Sequence, residues 1–127
     1  RRGAIWFSHV MMAGSGGNPK AENDRDENVV PTGYGLFAHR LSRRDALFAF
    51  AQEQGKDKSD PTVQMQFAMS ELRAYKDHPQ FGHVWAAITA ANPGDKQLVA
   101  AQQSWMRYHS SLHEKRKQAL IDDLNRY

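Results

Sequence analysis

Four carboxylates lie close together in one polar stretch of the sequence, at Glu22, Asp24, Asp26 and Glu27. Carboxyl groups can give or take a proton, or hold a water molecule, during hydrolysis. Asp24 and Asp26 are the stronger candidates because backbone hydrogen bonds readily fix short carboxylates on a loop, and Glu22 is a further candidate. The alternative is an ordinary solvated loop, which is common for charged segments. The spacing is not that of an EF-hand calcium loop, because the required glycine and distal glutamate are missing.

Two glycine-containing segments flank these carboxylates. The apolar run 4–13 leads into residues 14–21, GSGGNPKA, and residues 33–37 read GYGLF. A residue that precedes proline avoids helical backbone angles, so the first segment predicts a helix that ends sharply in a loop. A third segment, residues 41–47, reads LSRRDAL and follows the second closely.

In this order, the three segments resemble the phage tail lysozyme domains of the lysozyme-like superfamily. The signatures of that family read Glu-Ser-Gly-x-Asn-Pro-x-Ala at the end of a helix, then Gly-Tyr-Gly-Leu, then a Ser-Arg-Arg stretch. The resemblance continues through residues 50–56, 64–67 and 71–72. Linked motifs in order are more specific than any one of them. The resemblance implies a mainly α, lysozyme-like multi-helix domain with a short hairpin or loop lining a cleft.

The sequence departs from the family pattern at the catalytic acid. The resemblance places that acid, a glutamate, at position 14, where this chain has Gly14. A glycosidase needs a carboxylic acid to protonate the leaving oxygen, and glycine has none. Three explanations remain open: the chain is an inactivated variant of an active enzyme, the domain has lost catalysis, or another acid such as Asp24 or Glu22 serves.

The resemblance also implies a set of substrate-binding residues around the two motifs. Tyr34 and Phe37 would offer aromatic surfaces to a sugar, and His39 lies where relatives often carry a polar or aromatic residue. The alternative for this segment is a hairpin that packs on the core, and a lone histidine is more often structural. The implied substrate-binding residues are Ser15, Tyr34, Gly35, Leu36, Phe37, His39 and Gln64.

Helical periodicity and breakers predict the elements that position these residues. A first helix over about 3–13 precedes an irregular polar loop over 14–32. Ser42 and Asp45 form a variant capping box that starts a helix reaching about Gln54, and Asp60-Pro61 starts another. Further helical segments extend to the end of the chain. We expect one lysozyme-like domain over 1–127, and the arginine at position 1 indicates a fragment of a longer protein.

Composition sets broad limits on the function. The 127 residues are 24% charged and 40% hydrophobic, which is ordinary for a globular protein. No cysteine is present, so disulfides and thiol chemistry are excluded. The net charge of +3 and the pI of about 9.3 suit an anionic partner such as a cell wall or nucleic acid. A plain solvated surface explains so small an excess equally well.

The sequence predicts no cofactor, no metal and no membrane span. His109 and His113 have the i, i+4 spacing of a two-histidine metal site, but no third ligand accompanies them. No apolar run approaches the roughly 20 residues that a membrane helix needs. Phosphate loops and dinucleotide-binding glycine motifs are also missing.

These observations leave three functional hypotheses. The first is a peptidoglycan glycosidase, of muramidase or lytic transglycosylase type, that cleaves the β-1,4 bond between N-acetylmuramic acid and N-acetylglucosamine and is inactivated here by Gly14. The second is a non-catalytic peptidoglycan-binding or structural module of a phage tail or secretion machine. The third and weakest is a nucleic-acid-binding helical bundle, which would leave the glycine motifs without a role. The first two imply peptidoglycan glycan strands as the partner and a secreted, periplasmic or virion-associated location.

Overall fold

A computed structural model describes residues 1–25, 31–106 and 113–126. In these residues the chain is mainly α, with one small antiparallel sheet. The helices are α1 (Arg2–Ser15), α2 (Ser42–Glu53), α3 (Pro61–Ala74), α4 (Gly82–Thr89), α5 (Asp95–Met106) and α6 (His113–Arg126); the strands are β1 (Glu22–Arg25), β2 (Pro31–Tyr34) and β3 (His39–Arg40). The mainly α fold class predicted from the sequence is therefore confirmed. None of the helices in the described residues is long and apolar enough to cross a membrane.

The chain forms two compact units, Gly14–Ser70 and a second one that combines Arg1–Ala13 with Glu71–Tyr127. The core of the second unit is built around two tryptophans. Trp6 and Trp105 are fully buried, with ring centroids 5.6 Å apart, and Trp6 Nε1 donates a hydrogen bond to the Leu98 carbonyl at 3.0 Å. Trp6, His9 and Val10, which lie at helical spacing in the apolar run, are buried, so this side of α1 is a core face.

Polar contacts fix α1 within the same unit at several points along its length. Arg2 pairs with Asp95 at the start of α5, and His9 Nδ1 bonds the carboxylate of Asp123 on α6. Arg116 donates from Nη1 to the carbonyl of Ala13 at 2.7 Å. The last contact satisfies one of the carbonyl groups that the end of a helix leaves without a partner.

The unit Gly14–Ser70 contains the three-stranded antiparallel sheet, in the order β1-β2-β3. Glu22 pairs with Tyr34, and Tyr34 pairs in turn with His39. The prediction of an irregular loop over 14–32 was therefore wrong for β1 and the start of β2. The segment has a polar composition, but pairing with β2 provides partners for its backbone groups, and composition does not reveal such long-range pairing.

Helix α2 begins at Ser42, as predicted, but without the predicted capping box. The N-cap position is Leu41, which has φ 52° and ψ −122° and whose side chain makes no capping hydrogen bond. The Ser42 prediction failed because the chain enters the helix directly from β3 through a strained residue. In α3 the predicted cap is confirmed, since Asp60 Oδ1 accepts the Thr62 amide at 2.8 Å and the Val63 amide at 3.3 Å.

Gly3 in α1 lies against the backbone of α4, which leads to a test of this packing. A Cβ atom at Gly3 would stand 2.2 Å from the Ile88 carbonyl oxygen. We expect Gly3→Ala to lower the free energy of unfolding by about 1–3 kcal/mol, because backbone must move to accept the methyl group. The measurement is urea denaturation followed by circular dichroism.

Gly82→Ala, at the start of α4, is the matched control. A Cβ atom at Gly82 would lie 3.5 Å from the nearest backbone oxygen, which is an ordinary contact distance. That change should leave stability unchanged or raise it by up to about 1 kcal/mol through helix propensity. Equal effects of the two substitutions would contradict the packing of α1 on α4.

Candidate functional site

The site residues predicted from the sequence all lie in the unit Gly14–Ser70. Gly14 and Ser15 close the last turn of α1, and Glu22 and Asp24 belong to β1. Tyr34 ends β2, His39 begins β3, and Gln64 lies in the first turns of α3. The structure therefore brings both glycine motifs and the Gln64 position into one compact unit. Asp26 lies outside the described residues.

The first motif forms a turn held by its own hydrogen bonds. Ser15 ends α1, and its Oγ accepts the Gly17 amide at 3.1 Å while its carbonyl accepts the Asn18 amide at 3.2 Å. The Asn18 side chain accepts the Lys20 amide at 3.0 Å. Serine and asparagine have the side-chain acceptors that such turns use, which explains why these residue types follow the helix. The role of Ser15 in binding substrate stays a prediction.

Gln64 connects the two motifs. Its side chain is fully buried, and its Oε1 accepts the Leu36 amide at 2.8 Å. Its Nε2 donates to the carbonyl of Pro19 at 2.7 Å and to the carbonyl of Lys58 at 2.8 Å. One amide group thus holds the Asn-Pro turn, the Gly-Tyr-Gly-Leu turn and the segment before α3 together. Because the amide has no exposed surface, Gln64 acts on the site by positioning this backbone.

Gly35 is required by its contact with that amide. A Cβ atom at position 35 would stand 2.7 Å from Gln64 Oε1, and the backbone has φ +86°. Both the close approach and the positive φ favour glycine. The Gly35 amide also donates to the Ala21 carbonyl at 2.9 Å, next to the first motif. Gly35 of the second motif therefore allows the close contact between the second motif and the first.

The apolar residues of the second motif are buried. Tyr34, Leu36 and Phe37 each expose 5% or less of their surface, and His39 exposes 1%. The His39 ring packs edge-on against Phe67, with centroids 5.0 Å apart. Such burial agrees with the alternative of a hairpin packed on the core, and it leaves little of these rings for a sugar. Direct substrate contact by Leu36, Phe37 and His39 stays a prediction that their burial does not favour.

Glu22 and Tyr34 share a pocket of about 350 Å³ with residues that the sequence analysis did not select. We call it the Lys58 pocket; it is lined by Lys20, Glu22, Tyr34, Asp57, Lys58 and Ser59. The segment that contributes Asp57 to Ser59 is a short polar connection between α2 and α3, and in sequence it looks like an ordinary linker. The sequence of this segment does contain one signal for an ordered turn. It reads Asp-x-Ser, a pattern typical of turns in which a side chain accepts a backbone hydrogen bond.

Hydrogen bonds and burial set the charges in this pocket. The Ser59 hydroxyl donates to Asp57 Oδ1 at 2.6 Å, and the Ser59 amide donates to the same oxygen at 2.8 Å. These hydrogen bonds, that of the hydroxyl first, hold the pKa of the Asp57 carboxyl below its ordinary value. Burial raises the pKa of the Tyr34 hydroxyl, and the negative charges of Asp57 and Glu22 raise it further. At neutral pH the pocket therefore offers an ionised carboxylate beside a protonated phenol.

The position that the motif resemblance assigns to the catalytic acid has no carboxyl group in this chain. Gly14 lies in the last turn of α1, where the backbone is helical. Asp24 belongs to β1, and its side chain is not described. Among the described residues, no group of three or more histidine, cysteine, aspartate or glutamate side chains could hold a metal ion. His109 of the histidine pair lies outside the described residues.

Comparison with known proteins identifies a family. The model of the family described as phage tail lysozyme matches residues 7–120 of the 127-residue chain. No curated protein and no solved structure matches the chain. The matched range extends well beyond residue 72, where the resemblance of the motifs ended, and it includes residues of both compact units.

The buried amide of Gln64 predicts a large effect of an isosteric change. Gln64→Glu replaces two donors by acceptors that face the Pro19 and Lys58 carbonyls, so we expect a loss of about 3 kcal/mol or more at neutral pH. Burial would raise the pKa of the introduced carboxyl above its unfolded value. The variant should then regain stability as the pH falls toward the unfolded value of about 4.3, because the neutral acid can donate one hydrogen bond.

Gln66→Glu is the matched control, since Gln66 is exposed on the same helix. It should change stability by less than about 0.5 kcal/mol at either pH. Thermal unfolding of both variants and the parent chain at pH 7 and pH 4.5 measures the effect. A Gln64→Glu variant as stable as Gln66→Glu at pH 7 would contradict the hydrogen-bond network.

The raised pKa of Tyr34 predicts an alkaline loss of stability. The neutral phenol is favoured in the folded state, so its contribution is complete below the unfolded pKa of about 10 and is lost as the pH rises through the higher folded pKa. Tyr34→Phe removes this titration and keeps a ring against Phe48, whose centroid lies 5.2 Å away. Urea denaturation between pH 8 and 11 should show a smaller decline for Tyr34→Phe than for the parent chain. Parallel declines would rule out the assigned environment of Tyr34.

Proposed function

Because this chain belongs to the phage tail lysozyme family, we propose that its fold serves to cleave the β-1,4 bond between N-acetylmuramic acid and N-acetylglucosamine. Membership of the family supports lysis of peptidoglycan as the general activity. To this general activity the proposal adds three points. They are the glycosidic bond that is cleaved, a mechanism of muramidase or lytic transglycosylase type, and the inactivity of this particular chain. Gly14 leaves the chain without the general acid that such cleavage requires.

The observation that carries the proposal is the Gln64 junction. The amide ties the turn that follows position 14 to the Gly-Tyr-Gly-Leu turn, through Pro19 on one side and Leu36 on the other. Both motifs by which the sequence resembles the family are thus held in one unit by a buried, fully bonded group. Such a network fixes backbone position, and glycosidic cleavage depends on fixed positions of catalytic groups around the sugar.

In the proposed mechanism, a carboxyl group at position 14 protonates the glycosidic oxygen. The apolar end of α1 would keep its pKa high enough for it to hold a proton near neutral pH. The positive charge that develops on the sugar is stabilised by a carboxylate, for which Glu22 and Asp24 are the candidates, or by the acetamido group of the substrate. Of these two carboxylates, Glu22 lines the Lys58 pocket.

The alternative is a non-catalytic module that binds peptidoglycan in a phage tail or a secretion machine. Gly14 is the observation that favours it, since a binding domain does not need the acid. In either case we propose that residues 1–127 form one lysozyme-like domain. It would act at the cell wall from a virion-associated, periplasmic or secreted position, with peptidoglycan glycan strands as its partner.

Restoring the acid tests the function directly. We expect Gly14→Glu to clear a suspension of purified peptidoglycan at least about 100-fold faster than the parent chain, which is the low end for a general acid. Gly14→Gln is the matched control, because glutamine has similar size and helix propensity but cannot give up a proton. Turbidity is followed for the three chains side by side.

Each outcome points to a different function. If the parent chain clears peptidoglycan at the rate of Gly14→Glu, another carboxylate is the acid, and our assignment of position 14 is wrong. If none of the chains clears peptidoglycan but all bind it, the binding-module alternative replaces the glycosidase. If none of them lyses or binds it, both functions are excluded.

A further inference from the structure

The Lys58 pocket differs from an ordinary sugar site in its charges. Two lysines, Lys20 and Lys58, and two carboxylates, Glu22 and Asp57, line it together with the hydroxyl-bearing Tyr34 and Ser59. Every lining side chain therefore ends in a polar or charged group. The formal charges cancel, so the pocket does not select a simple anion or a simple cation. It presents charges of both signs within one space of about 350 Å³.

Neutral groups hold the charges of Lys58 and Asp57 in place. The Lys58 ammonium lies over two aromatic rings, 5.3 Å from the centroid of Tyr34 and 4.8 Å from that of Phe48. Asp57 is held by the hydroxyl and amide of Ser59. Within residues 1–25, 31–106 and 113–126, no salt bridge joins Lys58 or Asp57 to another side chain. Both groups are thus oriented while their charges stay available to a ligand.

These properties decide the class of ligand. A neutral sugar offers hydroxyl and acetamido groups, which can form hydrogen bonds in this pocket but carry no charge opposite to that of Lys58 or Asp57. A ligand with both carboxylate and ammonium groups pairs them. In peptidoglycan, the neutral glycan carries such groups in the peptide stem attached to N-acetylmuramic acid.

We infer that the Lys58 pocket binds the charged peptide stem of peptidoglycan, with Lys58 pairing a stem carboxylate and Asp57 pairing a stem ammonium group. The inference rests on the proposed function and adds a specificity to it. The pocket would distinguish peptidoglycan from unsubstituted glycans such as chitin. Glu22 then lies beside the peptide as well as beside the sugar.

Titration calorimetry with matched ligands tests the inference on the parent chain. The ligands are the disaccharide of N-acetylglucosamine and N-acetylmuramic acid with its lactyl carboxylate amidated, the same disaccharide with a tripeptide that ends in diaminopimelate, and that tripeptide form with its carboxylates amidated and its amine acetylated. We expect the charged form to bind at least about tenfold more tightly than the other two, since a charge-assisted hydrogen bond contributes at least that factor. Equal affinities within about twofold would overturn the inference.

Substitutions then assign the partners. Lys58→Met keeps the length of the side chain without its charge and should remove most of the preference for the charged stem. Lys76→Met, at an exposed lysine of the other unit, is the control and should keep it. Asp57→Asn can still accept the Ser59 amide and should weaken binding only when the stem amine is free. A tenfold preference that survives in Lys58→Met would overturn the assignment.

The result separates this inference from the proposed function. If Gly14→Glu lyses peptidoglycan while the three ligands bind equally to the parent chain, only the peptide subsite is wrong. If no ligand binds and Gly14→Glu does not lyse peptidoglycan, both the subsite and the proposed function fail.

Discussion

The unit Gly14–Ser70 depends on one buried amide, that of Gln64. Its three hydrogen bonds satisfy the buried N–H of Leu36 and two part-buried carbonyls, those of Pro19 and Lys58. Each such bond contributes only about 1 kcal/mol net, but an unpaired group costs about 1–3 kcal/mol, so the network specifies backbone position more strongly than its net energy suggests. Gly35 follows from the same constraint, since any side chain there would meet the amide. The glycine-rich motifs are therefore as much a structural requirement of the fold as a feature of the site.

This constraint also explains how a chain with glycine at the proposed acid position can keep the surrounding motifs. The Asn-Pro turn and the Gly-Tyr-Gly-Leu turn are held by Gln64, and none of these contacts involves a side chain at position 14. Loss of the acid then removes chemistry without removing the interactions that hold the turns.

The Lys58 pocket lies at a polar connection between two helices. Asp57, Lys58 and Ser59 link α2 to α3, and the Lys58 carbonyl is itself a partner of Gln64. The backbone that carries the pocket charges is thus fixed by the same amide that fixes the motifs. Tyr34 joins the two features, because its ring lies under the Lys58 ammonium and its neighbour Gly35 packs on Gln64.

The sequence by itself determined the fold class, the positions of most helices and the family motifs, because helical spacing, Asp-Pro starts and glycine signals act locally. It did not reveal β1, whose polar residues become a strand only by pairing with β2, or the failure of Ser42 to cap α2. It suggested that Leu36, Phe37, His39 and Gln64 face substrate, whereas the tertiary structure buries them. It also passed over Asp57 and Lys58, which reach Glu22 and Tyr34 only through folding. Burial and the meeting of distant charges depend on contacts between segments far apart in the chain, and no local pattern encodes them.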